Sequence, residues 1–148
     1  TQEAESTSMR AEDQVWPTVK LIAAVGLNGQ IGLNGMLPWA RDREDMQFFY
    51  NHTRGSSLIM GARTARKLQW EHKQIISGGR MVYHYHGETP DTFIDMINDE
   101  WPQKADVWIC GGAYTYKRFM PYVRRSYITH IRYDGPADVI MPPLWSVK

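Results

Sequence analysis

An α/β domain with a mainly parallel sheet is the fold class that the sequence predicts, on three observations. Short apolar runs recur along the chain, each closed by glycine or another turn signal. Segments with helical spacing of apolar residues lie between them, and neither an internal repeat nor a linker interrupts the alternation. The 148 residues suit a single domain with its own core. Lys+Arg 17 against Asp+Glu 16 is too even a balance for a nucleic-acid coat or a polybasic membrane binder, so small molecules or proteins are the expected partners. Cys110 is the one cysteine, which excludes an internal disulfide and makes a reducing, cytoplasmic compartment the default. No apolar run approaches the roughly 20 residues that span a bilayer, so no membrane is expected.

Residues 1–17 lack a hydrophobic period and read as a disordered leader before a domain at 18–148. The nearly continuous apolar run 19–25, stopped by Gly26, predicts a strand covered on both faces. Asn28-Gly29, Gly32, Asn34-Gly35 and Pro38 fall close together, so 27–40 is expected to be a long ordered loop without strand or helix. With Asp42 as N-cap, Met46, Phe49 and Tyr50 give a helical face ending near His52-Thr53. Strands are expected at 56–61, 73–77 and 81–85, with a short helix at 64–68. Thr89-Pro90 places proline at the first position of a helix whose buried face is Phe93, Ile94 and Ile97. A strand at 107–110 runs onto Gly111-Gly112, a helix at 114–120 stops at Pro121, and 125–131 is the sixth strand.

Ligands of open α/β sheets gather at the carboxyl ends of strands. At one such end Gly111-Gly112 bares backbone N–H groups to a phosphate or forms merely a tight turn. Met60-Gly61 with Arg63 and Thr64 repeats the pattern with a cation and a hydroxyl, or is a solvated first helical turn. Asp42, Glu44 and Asp45 suit a helix start without any function, but Asp45 precedes Phe49 by one turn and so lies near the apolar face, where a carboxylate needs a partner. His84 and His86 alternate on one strand face without a third metal ligand nearby, and no metal is expected. Cys110 reads as a small buried residue rather than a nucleophile.

Taken together, Leu21-Ile22-Ala23-Ala24, Ile31-Gly32, Leu37-Pro38-Trp39, a helix with Asp45 and Phe49-Tyr50-Asn51-His52-Thr53, Ile59-Met60-Gly61-Ala62-Arg63-Thr64, Ile109-Cys110-Gly111-Gly112 and Tyr127-Ile128-Thr129-His130-Ile131 occur in the order and spacing of dihydrofolate reductases. From Val19 to about Pro142 the chain resembles that family. The resemblance implies a three-layer fold and reduction of 7,8-dihydrofolate to tetrahydrofolate by hydride from NADPH, with antifolates such as methotrexate or trimethoprim as further ligands. It implies that Asp45 holds the pterin amino group and ring N–H, that Thr129 bonds that carboxylate, and that Trp39 holds a water near it. Ile22 and Cys110 match positions whose carbonyls face the pterin edge, and Phe49 the ring that packs on the benzoyl part. Ala24, Ile31 and Tyr116 lie near the nicotinamide by the same resemblance, while Gly111, Gly112, Ala113 and Tyr114 cradle the pyrophosphate with Arg63 and Thr64 opposite.

Four departures qualify the carry-over. One extra residue lies between Trp39 and Phe49, so counting forward from Trp39 selects Glu44 and counting back from Thr53 selects Asp45; a helix resists insertion better than a loop, which favours Asp45. His72 stands where the family has an arginine for the folate glutamate, and Ala62 where a cation often meets the 2′-phosphate, leaving Arg63, Ser77 and Arg80 for that task. The family's closing C-terminal hairpin is expected to be missing, which would leave the 125–131 strand as an open edge and invite a homodimer. A catalytically inactive binding protein of this fold and a related pterin or riboflavin-pathway reductase stay open as alternatives.

Overall fold

The computed structural model describes residues 17–35, 37–39, 43–67, 78–100 and 106–143; the side chains of 43–45 and 67 lie outside that description. Strand β1 (Val19–Val25) buries Val19, Leu21, Ala23 and Val25 on one face and Ile22 on the other, which is why its sequence is apolar almost throughout. In chain order there follow β2 (Gln30–Gly32), α1 (Arg43–Thr53), β3 (Ser57–Gly61), α2 (Ala62–Lys67), β4 (Met81–Tyr85), α3 (Pro90–Glu100), β5 (Val107–Ile109), α4 (Ala113–Phe119), a 3₁₀ turn at Met120–Tyr122, β6 (Arg125–His130) and β7 (Val139–Ile140). The main sheet has the order β4-β3-β5-β1-β6 and every pair in it is parallel. The chain thus leaves β1 for the outer strands β3 and β4, returns to fill the gap with β5, and finishes on the opposite edge with β6. That reversal puts a topological switch point beside β5.

Helices cover both faces. On one, Phe93, Ile94 and Ile97 of α3 and Phe119 of α4 pack with Leu21, Ile59 and Ile109 in the larger core. On the other, Ile22, Leu58, Met60 and Trp108 form a smaller cluster under Phe48, Phe49 and Tyr50 of α1.

Two expectations need correction. Residues 27–40 are not strandless: β2 pairs antiparallel with β7, Gln30 opposite Ile140 and Gly32 opposite Val139. Strands of three and two residues have no readable period, and their pairing partners lie at opposite ends of the chain. The turn chemistry was legible, since Gly29 and Gly35 hold φ of +85° and +79°. Nor does Pro121 stop the helical path after α4, which continues through the 3₁₀ turn because proline at its start needs no N–H donor there. The expected strand at 73–77 and the Asp42 cap lie outside the described residues. Among the described residues β6 ends the sheet with no further strand beside it.

Candidate active site

A cleft of about 1120 Å³ opens at the carboxyl ends of β1, β3, β4 and β5. A site for one small ligand usually occupies about 300–1,000 Å³, so this cleft is large for a single small ligand. At one end it is apolar: Ile22 and Ala24 of β1 form the floor, Met46, Phe48 and Phe49 of α1 one wall, and Ile31 of β2 with Leu37 and Trp39 after it another. The Trp39 indole lies 5.7 Å from the Tyr133 ring, and its buried Nε1–H has no acceptor among the described residues. A buried donor without a protein acceptor suits a bound water or ligand. Tyr116 donates its hydroxyl to the Ile22 carbonyl at 2.9 Å. Burial pushes the Cys110 thiol well up, against the opposing charge of Arg80, so the thiol stays protonated.

The other end is backbone and cation. Gly61 N–H donates to the Gly111 carbonyl at 2.9 Å, tying the end of β3 to the turn after β5. Gly111 has φ +117°, a conformation that side chains disfavour. A Cβ there would stand 3.4 Å from the Tyr116 hydroxyl and 3.6 Å from the Thr64 hydroxyl, so two hydroxyls look onto bare backbone. Arg63 and Arg66 of α2 line the same end. Bare backbone, hydroxyls and guanidinium groups are the donor set that phosphate oxygens need, so these residues fit a pyrophosphate-bearing dinucleotide.

The model of the dihydrofolate reductase family matches residues 18–147. The chain belongs to the dihydrofolate reductase family. It is 30% identical to the dihydromethanopterin reductase of Methylorubrum extorquens over 142 residues, covering 87% of this chain and 93% of that protein. It is likewise 30% identical to the dihydrofolate reductase of Bos taurus, covering 83% and 78%, and 28% identical to that of Haemophilus influenzae, covering 88% and 85%. Membership of the dihydrofolate reductase family makes the chain a reductase of the folate and pterin class.

Most residues that the family resemblance singled out meet in the one cleft: Ile22, Ala24, Ile31, Trp39, Phe49, Arg63, Thr64, Cys110, Gly111, Gly112, Ala113, Tyr114 and Tyr116 all line it. Thr129 does not; it stands on β6 as the Cα partner of Ala24, half-buried behind the floor. Arg80 requires a correction. Its Nε donates to the Thr53 hydroxyl at 2.8 Å and its Nη2 to the Tyr50 carbonyl at 2.6 Å, and its guanidinium lies 5.2 Å over the Tyr50 ring. Buried in that brace at the end of α1, it is not among the cleft residues. Ser77, His72 and the Asp45 side chain lie outside the described residues. Among the described residues no cluster of His, Cys, Asp or Glu could hold a metal ion, and no helix is long and apolar enough to cross a membrane.

The sequence reading missed Met46, Phe48, Arg66, His86 and Asp138 as lining residues. Arg66 had a signal, since it follows Arg63 by three residues and so shares its side of a helix. His86 and Asp138 had none. The first needs the register between β3 and β4, and the second reaches the cleft because it accepts from Asn34 N–H at 2.9 Å and donates its own N–H to the Gly32 carbonyl at 2.9 Å.

Proposed function

We propose that the chain reduces 7,8-dihydrofolate to tetrahydrofolate with NADPH. The observation that carries this reading is the continuity of one cleft from the phosphate-suited Gly111-Gly112 end to the apolar Ile22 and Phe49 end, which lets a dinucleotide and a flat heterocycle lie in contact. When bound, NADPH supplies the hydride, and a proton from solvent completes the reduction. Position 45 lies one helical turn before Phe49, whose ring lines the cleft. There the Asp45 carboxylate accepts from the pterin amino group and ring N–H, orients the ring and favours a proton beside the carbon that receives hydride. Thr129 supports that carboxylate, and Trp39 Nε1–H holds a water beside it. The Ile22 and Cys110 carbonyls face the pterin edge, and Phe49 packs on the benzoyl part. Ala24, Ile31 and Tyr116 bound the nicotinamide, while Gly111, Gly112, Ala113 and Tyr114 take the pyrophosphate with Arg63 and Thr64. The loop carrying Leu37 and Trp39 keeps water from the reacting atoms.

Loss of nicotinamide absorbance that requires dihydrofolate tests the activity directly. Asp45→Asn is expected to lower turnover about 10²-fold or more without loss of fold, and Glu44→Gln to do little. The reverse ranking would move the carboxylate role to Glu44. Binding of both ligands without turnover would instead make the chain an inactive binding protein. The lone half-buried Cys110 supports a cytoplasmic protein, methotrexate or trimethoprim would compete at the pterin end, and the β6 edge supports a homodimer, for which light scattering at several concentrations is the check.

A second reading concerns the tail. Among the described residues the apolar walls of Met46, Phe48, Phe49 and Leu37 carry no cation, and a relative of matching length is a dihydromethanopterin reductase. A dihydropterin without a glutamate tail would suit such walls. Comparable kcat/KM for 7,8-dihydropteroate and dihydrofolate favours this second reading; a clear preference for dihydrofolate removes it.

A further inference from the structure

Gln30 opens β2 and is 4% exposed, so its side-chain amide needs partners inside the protein. It has them on two segments. Its Oε1 accepts from Asn28 N–H at 2.7 Å, within the turn that joins β1 to β2. Its Nε2 donates to the Gly135 carbonyl at 3.2 Å and to Asp134 Oδ1 at 3.4 Å, on a segment far along the chain. Bare Gly26 makes room for this amide, since a Cβ there would collide with it and stand 2.9 Å from the Tyr133 carbonyl. That carbonyl accepts from Leu27 N–H at 2.8 Å, so the turn after β1 and residues 133–135 close on each other around the Gln30 amide. Tyr133 carries the placement on to the cleft. Its ring folds over bare Gly135, where a Cβ would meet ring carbon at 2.8 Å, and its hydroxyl donates to the Pro136 carbonyl at 2.6 Å, so the ring is tied to its own turn. Against that ring, at 5.7 Å, lies the Trp39 indole, which lines the apolar end of the cleft with a buried Nε1–H that no described residue accepts.

We propose that Gln30 is a positioning residue for Trp39: by fixing the 133–135 turn it sets where the Tyr133 ring, and with it the Trp39 indole N–H, stands in the cleft. Gln30 itself does not line the cleft, so it acts through other residues. Each step of the path is a hydrogen bond or a ring contact: Gln30 to Gly135, the 133–136 turn to the Tyr133 ring, and that ring to Trp39. Leucine at position 30 would fill nearly the same space, but it supplies neither the acceptor that Asn28 N–H uses nor the donors that Gly135 and Asp134 use. The two turns would then lose the amide that joins them. The inference rests on the functional reading above only for what Trp39 does there, which is to hold a water beside the pterin.

Fluorine NMR on the fluorotryptophan-labelled protein tests this without turnover. Of the six tryptophans, Trp39 is assigned by the signal lost in Trp39→Phe, and buried Trp108 reports on the core. Gln30→Leu is expected to shift or split the Trp39 signal and leave that of Trp108 in place, and to lower kcat/KM for dihydrofolate about tenfold. Tyr133→Leu should shift the Trp39 signal too, and adding Gln30→Leu to it should shift that signal no further, because both changes act on one path. Asp134→Ala, at an exposed position, removes one acceptor of the Gln30 amide without emptying a buried site and should give a smaller shift of the same sign. Ile94→Ala, which weakens the core away from this path, should leave the Trp39 signal where it is. A Trp39 signal unmoved in both Gln30→Leu and Asp134→Ala, or moved as much by Ile94→Ala, overturns the inference, as does full additivity with Tyr133→Leu. If the signal follows Gln30 while the unaltered protein oxidises no NADPH with dihydrofolate, the positioning stands and the functional reading falls.

Discussion

The two faces of the main sheet are built from alternate residues of the same strands and behave as different materials. Leu21 and Ile59 face α3 and α4, where Tyr85, Phe93 and Phe119 meet edge to face at 4.8–6.3 Å and Ile94 is fully buried. On that side the Tyr85 hydroxyl donates to the Glu88 carbonyl and accepts from Arg118 Nε. The opposite face has a thinner apolar cluster around Ile22, Leu58, Met60 and Trp108. It is secured by cations on rings and carbonyls: Arg80 on Tyr50 and Thr53, and Lys20 over the Trp108 and Tyr127 rings with an ion pair to Asp106 at 2.7 Å. The α3 and α4 face is filled for stability. The α1 face is left incompletely filled near the strand ends, and that gap is the cleft.

The contrast can be broken in three ways, from the largest expected effect to the smallest. Ile94→Ala removes a fully buried side chain far from the cleft and should cost about 2–5 kcal/mol in urea unfolding with KM for dihydrofolate unchanged. Phe49→Ala, at a half-buried cleft position, should do the opposite, raising KM with far less loss of stability. Equal stability losses from the two changes would mean that the faces are not different in kind.

Arg80→Met comes next. It strips the donors from the Thr53 hydroxyl and the Tyr50 carbonyl, and a loss of about 2 kcal/mol is expected. Nucleotide affinity should not move, because the guanidinium braces α1 and does not line the cleft. A fall in NADPH affinity at constant stability would return Arg80 to the cofactor site.

The smallest effect is a pH dependence. Burial raises the Cys110 thiol, so the folded chain holds that proton at pH values where the unfolded chain has released it. With fewer protons bound to the unfolded state, stability falls as pH rises above about 8.5, the ordinary thiol value. Between pH 8.5 and 10 that contribution is about 1 kcal/mol or more. Unfolding free energies of Cys110→Ala should therefore decline less steeply over this interval than those of the unaltered chain, and parallel curves would show that the thiol ionises as readily folded as unfolded.

Much of this molecule was legible one element at a time. Thr89-Pro90 with Phe93, Ile94 and Ile97 announced α3 and its buried face, and the runs at 19–25 and 56–61 announced buried parallel strands, because period and punctuation are local properties of a chain. The residues of the cleft were legible as a set through the order of short motifs, and many of them converge on one cavity because they stand at or just after carboxyl ends of strands. Placement between elements was not legible. The β2 and β7 pairing joins segments too short to have a period. The same basic residue type reads alike at 63, 66 and 80, yet strand order and register put the first two on the cleft and fold Arg80 under α1. His86 became a neighbour of Ala62 only through the register of β3 with β4. The sequence by itself determined where the longer described strands and helices would lie and which face α3 would bury, since those depend on neighbours a few residues away. Which cations meet the cleft and which serve the core was decided by tertiary structure, since that depends on distances between residues the chain holds far apart.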